Sequence, residues 1–172
     1  MLCPAPCLDP QIRLRPARDE DGDFLLRVHA STREAERALG GWTDEAWIEF
    51  IAEQQARQQA GYLAQCARPA FNLILLGDEP VGRFYRDDGK QEIRLLDLAL
   101  LPGHRGLGIG TCLIRDVLAE AQATKRCVGL HVGITNPALA LYLRLGLRVV
   151  DVLGPYLYLR SQAGAQPEGQ PG

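Results

Sequence analysis

The chain predicts an α/β domain with one mixed sheet, antiparallel in its first half and built from strand–helix–strand units in its second. Three observations carry this. Three apolar runs between Phe71 and Leu101 are separated by the turn signals Gly77-Asp78-Glu79-Pro80 and Asp87-Asp88-Gly89-Lys90, the pattern of an antiparallel meander. After Pro102 the apolar spacing alternates between helical and extended periods, as parallel crossovers require. A length of 172 residues, 47% hydrophobic and 23% charged, suits a single domain with one buried core.

The elements follow in order. Ile12-Arg13-Leu14-Arg15 alternates apolar and polar, a short strand that stops at Pro16. Asp19-Glu20-Asp21 precedes Phe24, Leu25 and Val28 at helical spacing, and acidic residues suit the positive end of a helix. Thr43 is an N-cap with Ala46 instead of Glu three positions on, an incomplete capping box. Trp47, Ile48, Phe50 and Ile51 begin an amphipathic stretch running toward Tyr62, and Pro69 marks the break. Residues 71–76, 81–86 and 92–101 are the meander strands. Ile109, Leu113, Val117, Leu118 and Ala121 share one face of a helix ending near Lys125-Arg126. Residues 128–132 form the next strand. Asn136-Pro137 opens another helix, with Pro where a missing N–H costs nothing, and Gly146 closes it. Residues 149–153 and 156–160 finish the sheet around Gly154-Pro155.

Both ends read as disordered tails. Residues 1–10 hold three prolines, and residues 161–172 are mostly Gln, Gly, Pro and Ala with little apolar content. Residues 11–160 are then a single domain. A net charge of −2 and a pI near 5.9 provide no field for nucleic acid or anionic membrane. No run of ~18 apolar residues spans a bilayer, and the start lacks the features of a signal peptide, so a cytoplasmic protein is expected. Five cysteines, Cys3, Cys7, Cys66, Cys112 and Cys127, are odd in number and scattered. No second Cys/His pair stands at ligand spacing to Cys3 and Cys7, so reduced thiols and no metal are expected.

Arg105-Gly106-Leu107-Gly108-Ile109-Gly110 follows a strand and opens a helix. The first turn of a helix presents N–H groups without partners, along a favourable dipole. Glycine removes the side chains that would hold a pyrophosphate away. Each Gly costs roughly 1 kcal/mol of helix propensity, which two or three charge-assisted hydrogen bonds of about 1.5–3 kcal/mol outweigh. Thr111 adds a hydroxyl donor and Arg105 a permanent positive charge. A dinucleotide fingerprint fails because the third glycine comes one residue early and Val132-Gly133-Ile134 supplies no acid. A nucleotide-hydrolase phosphate loop fails for want of Gly-Lys-Ser/Thr.

This run resembles the acetyl-CoA signature Arg/Gln-x-x-Gly-x-Gly/Ala of the GNAT superfamily of N-acetyltransferases. Asn136-Pro137-Ala138-Leu139-Ala140-Leu141-Tyr142-Leu143-Arg144-Leu145-Gly146 is similar to the family's Asn-x-x-Ala-x-x-Leu-Tyr-x-x-x-Gly-Phe, with Leu147 in place of Phe. Gly103 stands where a polar residue is common. The two motifs lie about thirty residues apart with a strand between them. The resemblance covers residues 92–159 well and the earlier part by pattern alone. It implies a strand, two helices, three strands, helix, strand, helix and two strands, the fourth and fifth strands splayed apart.

The resemblance implies acetyl-CoA as cosubstrate, its pantetheine arm paired with the backbone of Leu98, Ala99 and Leu100. It sets the pyrophosphate on the N–H groups from Arg105 to Gly110 and a hydrogen bond from Asn136 near the thioester. Tyr142 matches the family's general-acid tyrosine. Two residues compete as general base. Glu92 stands thirteen positions ahead of Arg105 on the strand where histone-acetylating members carry their glutamate. Asp97 lies inside an apolar strand, where an acid must be partnered or its pKa must rise. Strict alternation places Glu92 and Leu98 on one face and Asp97 on the other, unless a bulge breaks the parity. The acceptor is an amine of a small molecule or protein; a non-catalytic acyl-CoA sensor is the alternative. Family habit also admits a homodimer. Trp42, Trp47 and Tyr62 fall where the first helices shape an acceptor pocket, though such aromatics are more often core. His29, His104 and His131 show no ligand or triad spacing.

Overall fold

A computed structural model describes residues 11–162. Cys3, Cys7 and nearly all of the two expected tails lie outside the described residues. In chain order the elements are β1 (Ile12–Pro16), α1 (Gly22–Ser31), α2 (Glu34–Gly40), α3 (Asp44–Gln65), β2 (Pro69–Leu76), β3 (Glu79–Asp88), β4 (Glu92–Leu100), α4 (Ile109–Ala123), β5 (Cys127–Gly133), α5 (Ala138–Arg144), β6 (Arg148–Leu153) and β7 (Tyr156–Arg160). Short 3-10 turns at Asp19–Asp21 and Pro102–His104 lead toward α1 and α4.

The seven strands form one sheet in the order β1-β2-β3-β4-β5-β7-β6, antiparallel except where β4 meets β5. This is the mixed sheet expected from the meander and the later crossovers. One helix was not anticipated: α2 occupies seven residues between the first two expected helices and ends at Gly41, whose φ of 59° suits glycine. Thr43 caps α3 as expected, its Oγ1 accepting from the Ala46 N–H at 3.2 Å.

The main core lies between the sheet and α4 with α5. Phe84, Ile93, Ile114, Val128, Leu147 and Leu159 are essentially inaccessible there, each burial worth roughly 1.5–3 kcal/mol. A smaller cluster of Phe24, Val28, Leu73 and Ala99 seats α1 on the opposite face. Leu147 packs fully despite replacing Phe.

A bulge in β4 sets the geometry of everything below it. Tyr85 pairs with Asp97 and Arg86 with Leu95, so Leu96 is the extra residue. Before the bulge, Ile93 and Leu95 face the α4 core; after it, Leu98 does. Asp97 and Ala99 turn to the α1–α3 face, with Arg94, whose guanidinium meets Asp87 and Cys66. The bulge that the sequence leaves open is present and breaks the strict alternation: Glu92 and Asp97 share a face, and Leu98 is opposite. The Tyr62 hydroxyl donates to the Leu96 carbonyl at 3.0 Å and pins the bulge to α3.

The other end of β4 is clipped to the C-terminal strands. Glu92 accepts from the Tyr158 hydroxyl at 2.5 Å and pairs with Arg160 at 2.9 Å. A Cβ on Gly129 would come within 2.3 Å of the Tyr158 oxygen and 2.7 Å of the Glu92 carboxyl carbon, so glycine permits the clip.

Candidate active site

β4 and β5 pair only from Glu92↔Cys127 to Leu95↔Leu130, while β5 continues to Gly133 along β7. The divergence begins at the bulge, where extra twist bends β4 away from its parallel neighbour. Beyond it, the β5-facing edge of residues 97–100 finds no strand partner among the described residues. A cleft of about 1030 Å³ opens in that wedge, ample for an extended cofactor-sized ligand.

Leu98, Ala99 and Leu100 form one wall. The glycine turn forms the floor: Arg105, Gly106, Gly108, Ile109, Gly110 and Thr111 line it, while the Leu107 side chain is exposed and outside it. Gly106 and Gly108 have φ of 74° and 83°, with no atom within 4 Å of an added Cβ. Backbone conformation, not crowding, demands glycine at both positions. Gly108 caps α4 in the left-handed region, and the first turn carries no acidic residue. The N–H groups of residues 109–111 thus face the cleft end of the helix without intrahelical acceptors.

Arg105 has a different task from the one its charge suggests. Its Nε donates to the Leu100 carbonyl at 2.8 Å, and its Nη2 donates to the Ser31 carbonyl and hydroxyl at 3.0 and 3.1 Å. The guanidinium ties the glycine turn to the end of β4 and the end of α1. Ser31 and Thr32 thereby enter the cleft wall, unforeseen because only the tertiary contact joins α1 to the turn.

α5 supplies the third wall. Asn136 lines the cleft, and its Oδ1 accepts from the Ala138 N–H at 2.9 Å; the carboxamide oxygen caps the helix, leaving the NH2 as its donor. Tyr142 lines the cleft half-buried. Burial raises its pKa, and the negative charge of Asp97 adds to the effect. Thr135 and Tyr156 also line the cleft, and no motif announced either.

Asp97 adjoins the cleft through Leu98, its side chain only 16% exposed on the α1–α3 face. Burial pushes its pKa up, opposed by the Arg83 guanidinium, whose Nη2 lies 2.5 Å from Oδ2. The structure does not bring Glu92 to the cleft: it lies at the far end of β4, its carboxylate between Tyr158 and Arg160. Among the candidate aromatics, Trp47 is buried and stacks against Trp42 and Phe50. His29 is buried, whereas His131 is exposed against the Tyr158 ring. Among the described residues no three His, Cys, Asp or Glu side chains are grouped to hold a metal ion, and no helix is long and apolar enough to cross a membrane.

The family model of the acetyltransferase (GNAT) family matches residues 32–147. The chain belongs to that family. Similar solved structures include the PaiA N-acetyltransferase of Thermoplasma acidophilum in complex with coenzyme A, at 18% identity over 88% of this chain and 98% of that one, TM-score 0.61. An acetyltransferase from Thermus thermophilus is 26% identical over 87% of this chain and 96% of that one, TM-score 0.61. PH1933 from Pyrococcus horikoshii OT3 is 19% identical over 88% and 98% respectively, TM-score 0.62. No curated protein matches the chain.

Proposed function

We propose that the chain transfers the acetyl group of acetyl-CoA to a primary amine by direct attack in a ternary complex. One observation carries the reading: a partnerless strand edge, an open helix N-terminus and a tyrosine kept protonated by burial converge on one cleft. The strand edge suits an amide-bearing arm, the helix end suits a diphosphate, and the tyrosine suits a departing thiolate.

The chemistry divides among these groups. A lysine-like amine has a pKa of ~10.4 and must lose a proton to attack. Asp97 takes that proton through water, since burial makes its carboxylate a stronger base than an exposed one. Glu92 is a weaker candidate because its carboxylate already serves the clip with Tyr158 and Arg160. As the N–C bond forms, charge builds on the acyl oxygen, and a backbone N–H within residues 98–100 donates to it. When the C–S bond breaks, Tyr142 gives its phenolic proton to sulfur, and the second proton, shed by the nitrogen as it becomes an amide, passes to the phenolate and restores it.

The test is thiol release from acetyl-CoA across a library of amines, amino acids and lysine peptides. Release that depends on a particular amine, with N-acetylated product by mass spectrometry, is the expected result. Acetyl-CoA binding with no amine-dependent release anywhere in the library would identify a sensor instead.

A further inference from the structure

Behind β4 lies a buried polar group that the proposed reaction does not yet use. Arg83 on β3 is 2% exposed. Its Nη2 meets Asp97 at 2.5 Å, donates to His29 Nδ1 at 3.0 Å, and reaches Gln58 Oε1 at 3.4 Å. Among the described residues Asp97 is the one carboxylate within ion-pair distance of Arg83. The register explains the meeting. Arg83 pairs with Ala99 and Tyr85 with Asp97, so Arg83 and Asp97 are diagonal neighbours on one face only because the Leu96 bulge turned Asp97 there.

We propose that Arg83, held by His29 and Gln58, is a positioning residue that keeps Asp97 ionised and fixes its carboxylate beside the cleft. This rests on the acetyltransferase reading with Asp97 as base. A buried arginine otherwise spends a large desolvation cost for one ion pair. Here the pair sits one residue from the wall of the cleft, behind a bulge pinned by Tyr62. His29 can accept because burial, with Arg83 and Arg33 nearby, pushes its pKa down to about 4 and keeps it neutral. The groups facing Asp97 are Arg83 and Tyr85 from β3, Tyr62 from α3 and Tyr142 from α5, with His29 of α1 behind Arg83. Arg83 is the sole cation in that set at neutral pH, and its guanidinium opposes protonation of the carboxylate more strongly than the other favourable contact, the Leu98 backbone N–H.

The experiment is kcat/KM against pH for the wild type, Arg83→Met and Arg83→Lys, with acetyl-CoA affinity measured in parallel. Arg83→Met is expected to move the acid limb upward by at least one pH unit while acetyl-CoA affinity changes less than threefold. Arg83→Lys, which keeps charge but not the planar fork, is expected to restore the limb to within half a unit. An unmoved limb in Arg83→Met would overturn the proposal. Because Arg83→Met leaves a buried carboxylate unpaired and can fail to fold, Asp97→Asn and the Asp97→Asn/Arg83→Met double variant close a cycle without one. Loss of Arg83 is expected to cost less than threefold once Asp97 is gone; an added tenfold or more would show an independent, structural role. A wild type lacking amine-dependent turnover would instead sink the acetyltransferase reading itself.

Discussion

Tyr142 and His29 illustrate how burial sets what a side chain can do. Desolvation holds the Tyr142 phenol protonated, which a proton donor to a thiolate requires. Tyr142→Phe is expected to lower kcat by about 10²-fold or more, the usual scale of general-acid catalysis, while leaving acetyl-CoA affinity within threefold in calorimetry. For His29 the consequence is in stability. Its pKa falls from 6.5 to about 4 on folding, so the unfolded chain binds the extra proton between those values. Its contribution is fully present above pH 6.5 and is lost as pH falls toward 4, on the order of 3 kcal/mol in total. Asp97 has the opposite sign, its raised pKa favouring the folded state at low pH, and offsets part of that loss. Urea midpoints at pH 7 and 4.5 check this: the wild type should lose more stability between them than His29→Gln.

At the scale of elements, the glycine turn and the β4 bulge make the cleft. A substitution at Gly108 confounds two effects, since its φ of 83° strains any other residue. Gly110 is the cleaner probe: an added Cβ meets only Leu98 Cδ2, at an ordinary 3.6 Å. Gly110→Glu is expected to leave the fold near wild-type stability yet abolish acetyl-CoA binding, by placing a carboxylate at the helix end proposed for the diphosphate. Arg105→Ala removes the tie between the turn, β4 and Ser31. The expected outcome is at least a tenfold weaker acetyl-CoA affinity with circular dichroism unchanged, because a loosened turn must be ordered on binding.

At the scale of the whole molecule, the wedge leaves strand edge and helix terminus unsatisfied until something occupies them. A ligand that binds only the folded chain raises its stability by about 2.7 kcal/mol at a hundredfold excess over Kd. For a domain of this size that corresponds to a Tm rise of roughly 5–10 °C in differential scanning calorimetry with acetyl-CoA. No shift at millimolar acetyl-CoA would count against the cleft as its site. β6, one of the two outer strands of the sheet, is exposed along its length and displays Val149, Val150, Val152 and Leu153.

What could be read from the chain itself was local. The meander, the crossover helices, Thr43 as cap and the glycine turn each follow from spacing and from backbone preferences that act over a few residues. The two motifs also placed Tyr142 and Asn136 on the same crossover. What could not be read depended on register. A one-residue bulge reverses every side chain after it, and no residue in Leu95-Leu96-Asp97 announces which one is extra. That reversal brought Asp97 to the face of Arg83, while Glu92, ahead of the bulge, stayed in the clip with Tyr158 and Arg160. The guanidinium of Arg105 likewise found neutral oxygens on two other elements. Sequence determined which pieces the domain is made of, because local energies choose them; tertiary packing decided which charges meet, because partners far apart in the chain are selected by strand register and burial.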